Sequence, residues 1–358
     1  MVGRIFQYII VRKAQNRKAD PMKAWRFVKA FGLENIESVD VSVPEAGPGQ
    51  AVVRVRACSL NYRDLVVSKG GYGRAVKVPL TPLSDGAGEV VAVGPGVTRI
   101  KPGDRVAGIF MQGWLDGPPD DAGAATALGG ALDGMLAEMV CLDADGLVKY
   151  PEHLSYEEAA TLPCAAVTAW HSLFESGGLK PGQTVLVQGT GGVSIFALQF
   201  AKMAGARVIA TSSSDAKLER LRALGADCVV NCRSNPDWDR AARDFTGGVG
   251  VDHVIEVGGA GTLPTSLKAV RRGGHIALIG VLSGAGECDP RFIFLKQVKI
   301  QGIYVGSRCM FEEMNGAIAA AGMKPVIDRV FPFADVKEAF SYLESGAHFG
   351  KVCIRGEV

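Results

Sequence analysis

The residues between Val185 and Lys202, VLVQGTGGVSIFALQFAK, are of the types and spacing that bind a pyrophosphate. Gly189, Thr190, Gly191 and Gly192 turn the backbone between an apolar, β-branched run and a helical one that Val193 opens. Glycines let main-chain N–H groups approach phosphate oxygens, and the helix N-terminus behind them adds a favourable dipole. Ser194 stands where G-x-G-x-x-G has its third glycine. It is small enough for close packing of helix on strand. A plain tight turn would use similar residues, but the order strand, glycine turn, helix points to a dinucleotide.

A dinucleotide turn that prefers NAD is followed about twenty residues later by an Asp or Glu on the ribose hydroxyl. Here the second strand ends Ala210-Thr211-Ser212-Ser213-Ser214-Asp215-Ala216-Lys217, with Ser212 in the acidic position. Ser213 can donate to a 2′-phosphate, and Lys217 brings positive charge one turn into the next helix. Asn231 ends the third strand, and Arg233 beyond it is a second cation. This chemistry favours NADP(H). Asp215 opposes it unless it serves the helix dipole, and Ser212–Ser214 would also serve as an ordinary helix cap.

The elements that must position these groups divide the sequence. Residues 1–21 read as an extension, with Met22 opening a first strand, MKAWRFV. Residues 22–160 are β-rich: Gln50–Cys58 alternates apolar and basic residues, and Gly86–Val93 is a second clear strand. Many short strands at close spacing predict a barrel-like domain. Leu115–Gly134, rich in Gly, Ala, Asp and Pro, is expected to be a surface loop. Residues 161–305 alternate helices with short apolar strands, which predicts a doubly wound parallel sheet. Gly258, Gly280, Val281, Tyr304 and Val305 follow its late strands, where such a sheet binds its ligand. Residues 306–358 end in a strand, Lys351–Arg355, expected to return to the first domain. The fold class is therefore α/β, a β-rich domain joined to a Rossmann-type sheet.

The formal net charge of +2 gives no reason to expect nucleic acid or an anionic membrane as partner. No run is long and apolar enough to span a bilayer. The eight cysteines are scattered without a C-x-x-C pair, as in a reduced, cytoplasmic protein. The five histidines are isolated in sequence and read as structural.

SLNYRD (59–64), PLSDGAGEVVAVG (82–94), KPGDRV (101–106), AATLPCAAVTAW (159–170), RRGGHIALIG (271–280) and HFGKVCI (348–354), with the glycine turn, resemble the medium-chain dehydrogenase/reductase superfamily. The nearest likeness is to its zinc-free quinone oxidoreductase-like branch, and it extends from Met22 to the C-terminus. The resemblance implies a GroES-like catalytic domain split around a Rossmann domain, a cleft between them, and a homodimer joined through an edge strand near Val298–Tyr304. It also implies nicotinamide contacts from Thr168 and cofactor contacts from Gly350 and Lys351. Where zinc-dependent members carry cysteine, histidine and cysteine, this chain has Asn61, Ser84 and Cys164. One thiol does not make a tetrahedral site, so no metal is expected.

Without a Lewis acid, reduction of an already electron-poor acceptor is easier than alcohol oxidation. Asn61, Tyr62 and Tyr72 are the candidate catalytic residues, as hydrogen-bond donors to developing negative charge and as flat walls for a planar substrate. Arg63 and Asp64 read as a structural ion pair. The expected activity is NADPH-dependent hydride transfer to a quinone, an α,β-unsaturated carbonyl or a related carbonyl. An alcohol dehydrogenase, and a non-enzymatic nucleotide-binding or RNA-associated protein, remain the alternatives.

Overall fold

The computed structural model describes residues 21–72, 76–280, 282, 284 and 286–357, so all but the last residue of the expected extension at 1–21, and Val281, lie outside the described residues. Its strands in chain order are β1 (Met22–Phe27), β2 (Ile36–Val41), β3 (Gln50–Leu60), β4 (Asp85–Val93), β5 (Arg105–Gly108), β6 (Met139–Asp143), β7 (Leu147–Lys149), β8 (Thr184–Gln188), β9 (Arg207–Ser212), β10 (Cys228–Asn231), β11 (Val251–Glu256), β12 (Val270–Leu278), β13 (Lys299–Gly302), β14 (Ile327–Pro332) and β15 (Lys351–Arg355).

Strands β10-β9-β8-β11-β12-β13 form a parallel sheet in that order. Every residue of β8 is buried, as a central parallel strand requires. Helices Gly192–Met203, Asp215–Ala223, Trp238–Phe245 and Leu263–Ala269 follow its strands in the right-handed α/β manner. The second large sheet runs β14-β15-β3-β4-β5-β7, with β6 also on β3. β3 departs from the expected half-exposed alternation. Of its residues only Arg54 is exposed, because β4 flanks one edge and β6 and β15 share the other.

The last strand returns as expected: β15 pairs antiparallel with β3 and parallel with β14. One residue before it, Gly350 bridges to Gly191, and its N–H donates to the Thr190 carbonyl at 2.8 Å. The C-terminal strand thus fastens the β-rich lobe to the glycine turn.

Two expectations need correction. Leu115–Gly134 is not simply a surface loop. Ala127 and Leu128 are core residues, and Asp121–Ala124 is a helical turn capped by Asp120. A run of small residues let this segment pass for solvent-facing, whereas it packs under Leu83 and Phe110. Nor are all the histidines isolated. β11 and β12 pair His253 with His275 in register, and their Nδ1 atoms lie 3.5 Å apart.

Candidate active site

β3 ends at Leu60, and extended Asn61 caps the helix Tyr62–Ser68, its N–H donating to Asp64 Oδ2 at 2.7 Å. This turn fixes Asn61 beside the end of β15. Lys351 Nζ donates to the Leu60 carbonyl at 2.6 Å and to Asn61 Oδ1, and lies 4.0 Å from Asp85 Oδ2. Asp85 accepts from Ser84 Oγ at 2.7 Å and from the Cys164 N–H at 3.2 Å. All of this is buried: Lys351 is 3% and Asp85 0% exposed. Burial raises the Asp85 carboxyl, against the pull of Lys351. Burial also pushes Asp64 up to about 6, opposed by Arg63 and the Asn61 N–H. Because an ammonium can only donate, it sets the Asn61 amide with its oxygen toward Lys351. Nδ2 lies by Asp85 without a hydrogen bond of ordinary geometry.

A second group lines the same cleft. Arg63 Nη1 donates to the carbonyls of Leu128 (2.9 Å) and Gly129 (3.1 Å) and lies 3.4 Å from Asp64 Oδ1, the expected ion pair. Its guanidinium carbon sits 4.4 Å from the Tyr72 ring centroid and 4.9 Å from that of Phe110. The Tyr72 hydroxyl is hydrogen-bonded to the Tyr304 hydroxyl, and Tyr304 meets Phe110 edge-on. Burial, then Tyr72, raises the Tyr304 phenol, so it is protonated throughout the physiological range. Cys164, whose N–H reaches Asp85, packs against the apolar cluster that contains Phe110 and Val305 and so joins the two groups. Tyr62, by contrast, is exposed and takes no part in either.

Most of the residues expected to hold the cofactor lie at the ends of β8, β9, β11 and β12. Gly189 has φ +70°, and both it and Gly191 look onto open space, a cradle that a side chain would fill. Gly192 is required for another reason: a Cβ there would lie 2.6 Å from Lys351 Cδ. Val193 and Ser194 start the helix, and Ser194 Oγ donates to the Gln188 carbonyl at 2.6 Å, fitting the third glycine's packing role. Gly280 passes so close to the Val257 carbonyl that no side chain fits. Thr168 is buried, and His171 Nδ1 donates to the Val305 carbonyl at 2.7 Å. Gly258 donates its N–H to Glu256 at 2.9 Å.

Three placements differ from expectation. The Lys351 ammonium belongs to the Asn61–Asp85 cluster; only its stem, over Gly192, adjoins the cofactor turn. Lys217 Nζ is held by the carbonyls of Gly346 (2.7 Å) and His348 (2.8 Å), and would have to share itself to reach a phosphate near exposed Ser213 and buried Ser212. Asn231 Nδ2 donates to Asp215 at 2.7 Å, which draws that carboxylate toward β10. One group escaped sequence reasoning. Buried Glu256 accepts from Gln188 Nε2 (2.7 Å), from Thr262 and Ser266, and from the N–H groups of Gly258 and Gly259, bracing the loops that border the crevice. A carboxylate ending an apolar strand was its only signal.

Comparison with known proteins agrees with this geometry. Residues 47–152 match the alcohol dehydrogenase GroES-like domain and residues 192–321 the zinc-binding dehydrogenase family. The chain is 46% identical over 332 residues to a zinc-type alcohol dehydrogenase-like protein of Schizosaccharomyces pombe, covering 90% of this chain and 96% of that one. It is 33% identical over 341 residues to the 2-methylene-furan-3-one reductase of Solanum lycopersicum, covering 93% and 79%. A crystal structure from Sinorhizobium meliloti 1021, assigned to alcohol dehydrogenase, superposes with TM-score 0.89 at 44% identity, covering 95% of this chain and all of that one. A crotonyl-CoA carboxylase/reductase in complex with NADP superposes with TM-score 0.83 at 26% identity, covering 95% of each. With both lobes, the glycine turn and the cleft accounted for, the chain belongs to the medium-chain dehydrogenase/reductase superfamily and is an NAD(P)-dependent oxidoreductase.

Proposed function

We propose that the protein is an NADPH-dependent reductase of quinones, α,β-unsaturated carbonyls or related carbonyls, working without a metal. The observation that carries this reading is the Lys351 ammonium bonded among Leu60, Asn61 and Asp85. Zinc does not fit that donor set. Of Asn61, Ser84 and Cys164, only Cys164 bears a thiol, and burial followed by the nearby Asp85 charge holds it protonated. Fixed cations already stand against both buried carboxylates there, Lys351 beside Asp85 and Arg63 beside Asp64, which disfavours a divalent ion.

The nicotinamide cofactor does fit. Gly189, Thr190, Gly191, Gly192 and Val193 would hold its pyrophosphate, Ser212, Ser213, Lys217 and Asn231 its adenosine end, and Thr168, Gly258, Gly280, Tyr304, Val305 and Gly350 the rest. When bound, it supplies a hydride. The protein's share is to orient the acceptor, exclude water and meet negative charge on the substrate oxygen. Tyr72 is the stronger candidate for that; Asn61, its oxygen held by Lys351 and its Nδ2 buried beside Asp85, would have to turn to donate, and Tyr62, being exposed, stands outside the group. The enone-reductase and crotonyl-CoA relatives act on conjugated carbonyls by name, which supports this substrate class.

The helix Arg291–Lys296, beside edge strand β13, exposes Phe294 and Leu295. These apolar groups support a homodimer formed along that edge, which light scattering after gel filtration would test. No helix among the described residues is long and apolar enough to cross a membrane. The function itself is tested by following NADPH oxidation over a panel of quinones, enals and enones. Turnover that needs added zinc, or turnover confined to alcohols, would refute the reading.

A further inference from the structure

We propose that Tyr304 and Tyr72 act as one proton-donating pair toward the substrate oxygen, with Arg63 as the positioning residue behind them; this rests on the reductase reading above. The two phenols come from opposite sides of the cleft. Tyr72 lies in the segment after the helix Tyr62–Ser68, and Tyr304 lies two residues beyond β13. Their hydroxyls are joined directly. Two phenols carry two protons, and one hydrogen bond uses one of them. Whichever hydroxyl donates within the pair, its partner's proton is left for a third oxygen. Tyr304 is 49% exposed, so an acceptor can reach it, while Phe110 at 5.6 Å and the Tyr72 hydroxyl fix its ring.

Arg63 explains why such a pair can give its proton away. Its guanidinium is 9% exposed and stacked against Tyr72 at 4.4 Å, and its charge acts on both hydroxyls. Nη1 is engaged by two carbonyls and Asp64, whereas Nε and Nη2 make no hydrogen bond of ordinary geometry among the described residues and have the Tyr72 hydroxyl within electrostatic reach. A buried cation with one edge unpaired is costly, and negative charge on the adjacent phenols is what would offset that cost. Hydride delivered to the electron-poor carbon leaves an electron pair on the substrate oxygen. The Tyr304 O–H bond breaks as the product O–H bond forms. The phenolate charge is shared through the Tyr72 hydrogen bond beside Arg63, and water then returns the proton.

The test uses 4-nitrophenolate, an aromatic oxyanion whose visible band lies at shorter wavelength when its oxygen accepts hydrogen bonds, as in water, than in an apolar site without donors. Bound to the wild type, the band should stay at the short-wavelength position. Tyr304→Phe and Tyr72→Phe should each bind it about 10- to 100-fold more weakly and lose about 10²- to 10³-fold in kcat, with NADPH affinity kept in Tyr72→Phe. Arg63→Met should let the band move to longer wavelength, and Arg63→Lys, which restores the charge, should recover part of the short-wavelength position. If the wild type turns over the enone and quinone panel while Tyr304→Phe matches it in probe affinity and in rate, the proposal alone fails. If the wild type turns over none of that panel, the reductase reading fails and the proposal with it.

Discussion

Lys351→Met removes one charge from the cleft and keeps most of the side chain's volume, so it isolates the electrostatic role of the ammonium. The substitution leaves Asp85, fully buried, without its cation, and frees the Leu60 carbonyl and Asn61 Oδ1. Breaking a buried pair by deleting one partner costs about 3–5 kcal/mol. At roughly 2–4 °C per kcal/mol for a domain of this size, Tm should fall by about 6–20 °C. The pH dependence fixes the cause. Burial already raises the Asp85 carboxyl above its ordinary 3.8. A carboxyl raised in the folded state binds a proton there more readily than in the unfolded chain. Stability is therefore lost as pH rises from the ordinary value through the folded one. Without Lys351 the folded value climbs further, so the gap between variant and wild type should widen with pH. Urea unfolding at pH 5.5 and 8.5 reads this, and Asp85→Asn added to Lys351→Met should recover most of the loss. Equal losses at both pH values, or no recovery in the double variant, would refute the pairing.

Gly192→Ala should weaken NADPH binding about 10-fold or more, read by quenching of cofactor fluorescence, because the new methyl meets Lys351 Cδ at 2.6 Å while the ammonium is pinned. Lys217→Ala should weaken NADPH far more than NADH by the same titration; equal effects would defeat the phosphate assignment. His253 and His275 are both held down to about 4, chiefly by burial, against an ordinary 6.5. A base depressed in the folded state is protonated first in the unfolded chain, so stability should be lost as pH falls from about 6.5 to about 4. His275→Gln should flatten that acid limb by up to about 3 kcal/mol in urea melts. Prolonged dialysis against a strong chelator should leave turnover within about twofold of the starting rate, with metal content followed by elemental analysis.

Local signals carried much of the fold. A β-branched run, a glycine turn and a helical period lie within eighteen residues, and they located β8 and the crevice without any tertiary information. Strand ends drifted by a few residues. β12 begins at Val270, and β13 ends at Gly302 although its apolar pattern continues to Val305. What escaped was set by distance along the chain. Lys351 meets Asn61 across 290 residues and Tyr72 meets Tyr304 across 232, and no spacing rule spans such gaps. The His253–His275 contact needed the register of two parallel strands, and the fate of the Lys217 ammonium needed the carbonyls of Gly346 and His348.

The charge in the cleft links the superfamily to the chemistry proposed here. A catalytic zinc concentrates two positive charges on an open coordination position, which is what polarises an unactivated carbonyl or acidifies an alcohol. Lys351 brings a single charge, and its donors reach a main-chain carbonyl and the Asn61 amide beside the Asp85 carboxylate. It therefore has little left to offer a substrate oxygen directly, and its influence passes through the orientation of Asn61. Stabilisation of the developing anion then falls to neutral N–H and O–H donors, each weaker than a metal ion. On the function proposed above, such a site would favour acceptors whose conjugation already spreads the incoming charge over the removal of hydride from an alcohol. The same residues that make the fold a recognisable dehydrogenase thus argue, by what stands at Asn61, Asp85 and Lys351, for the reductive direction.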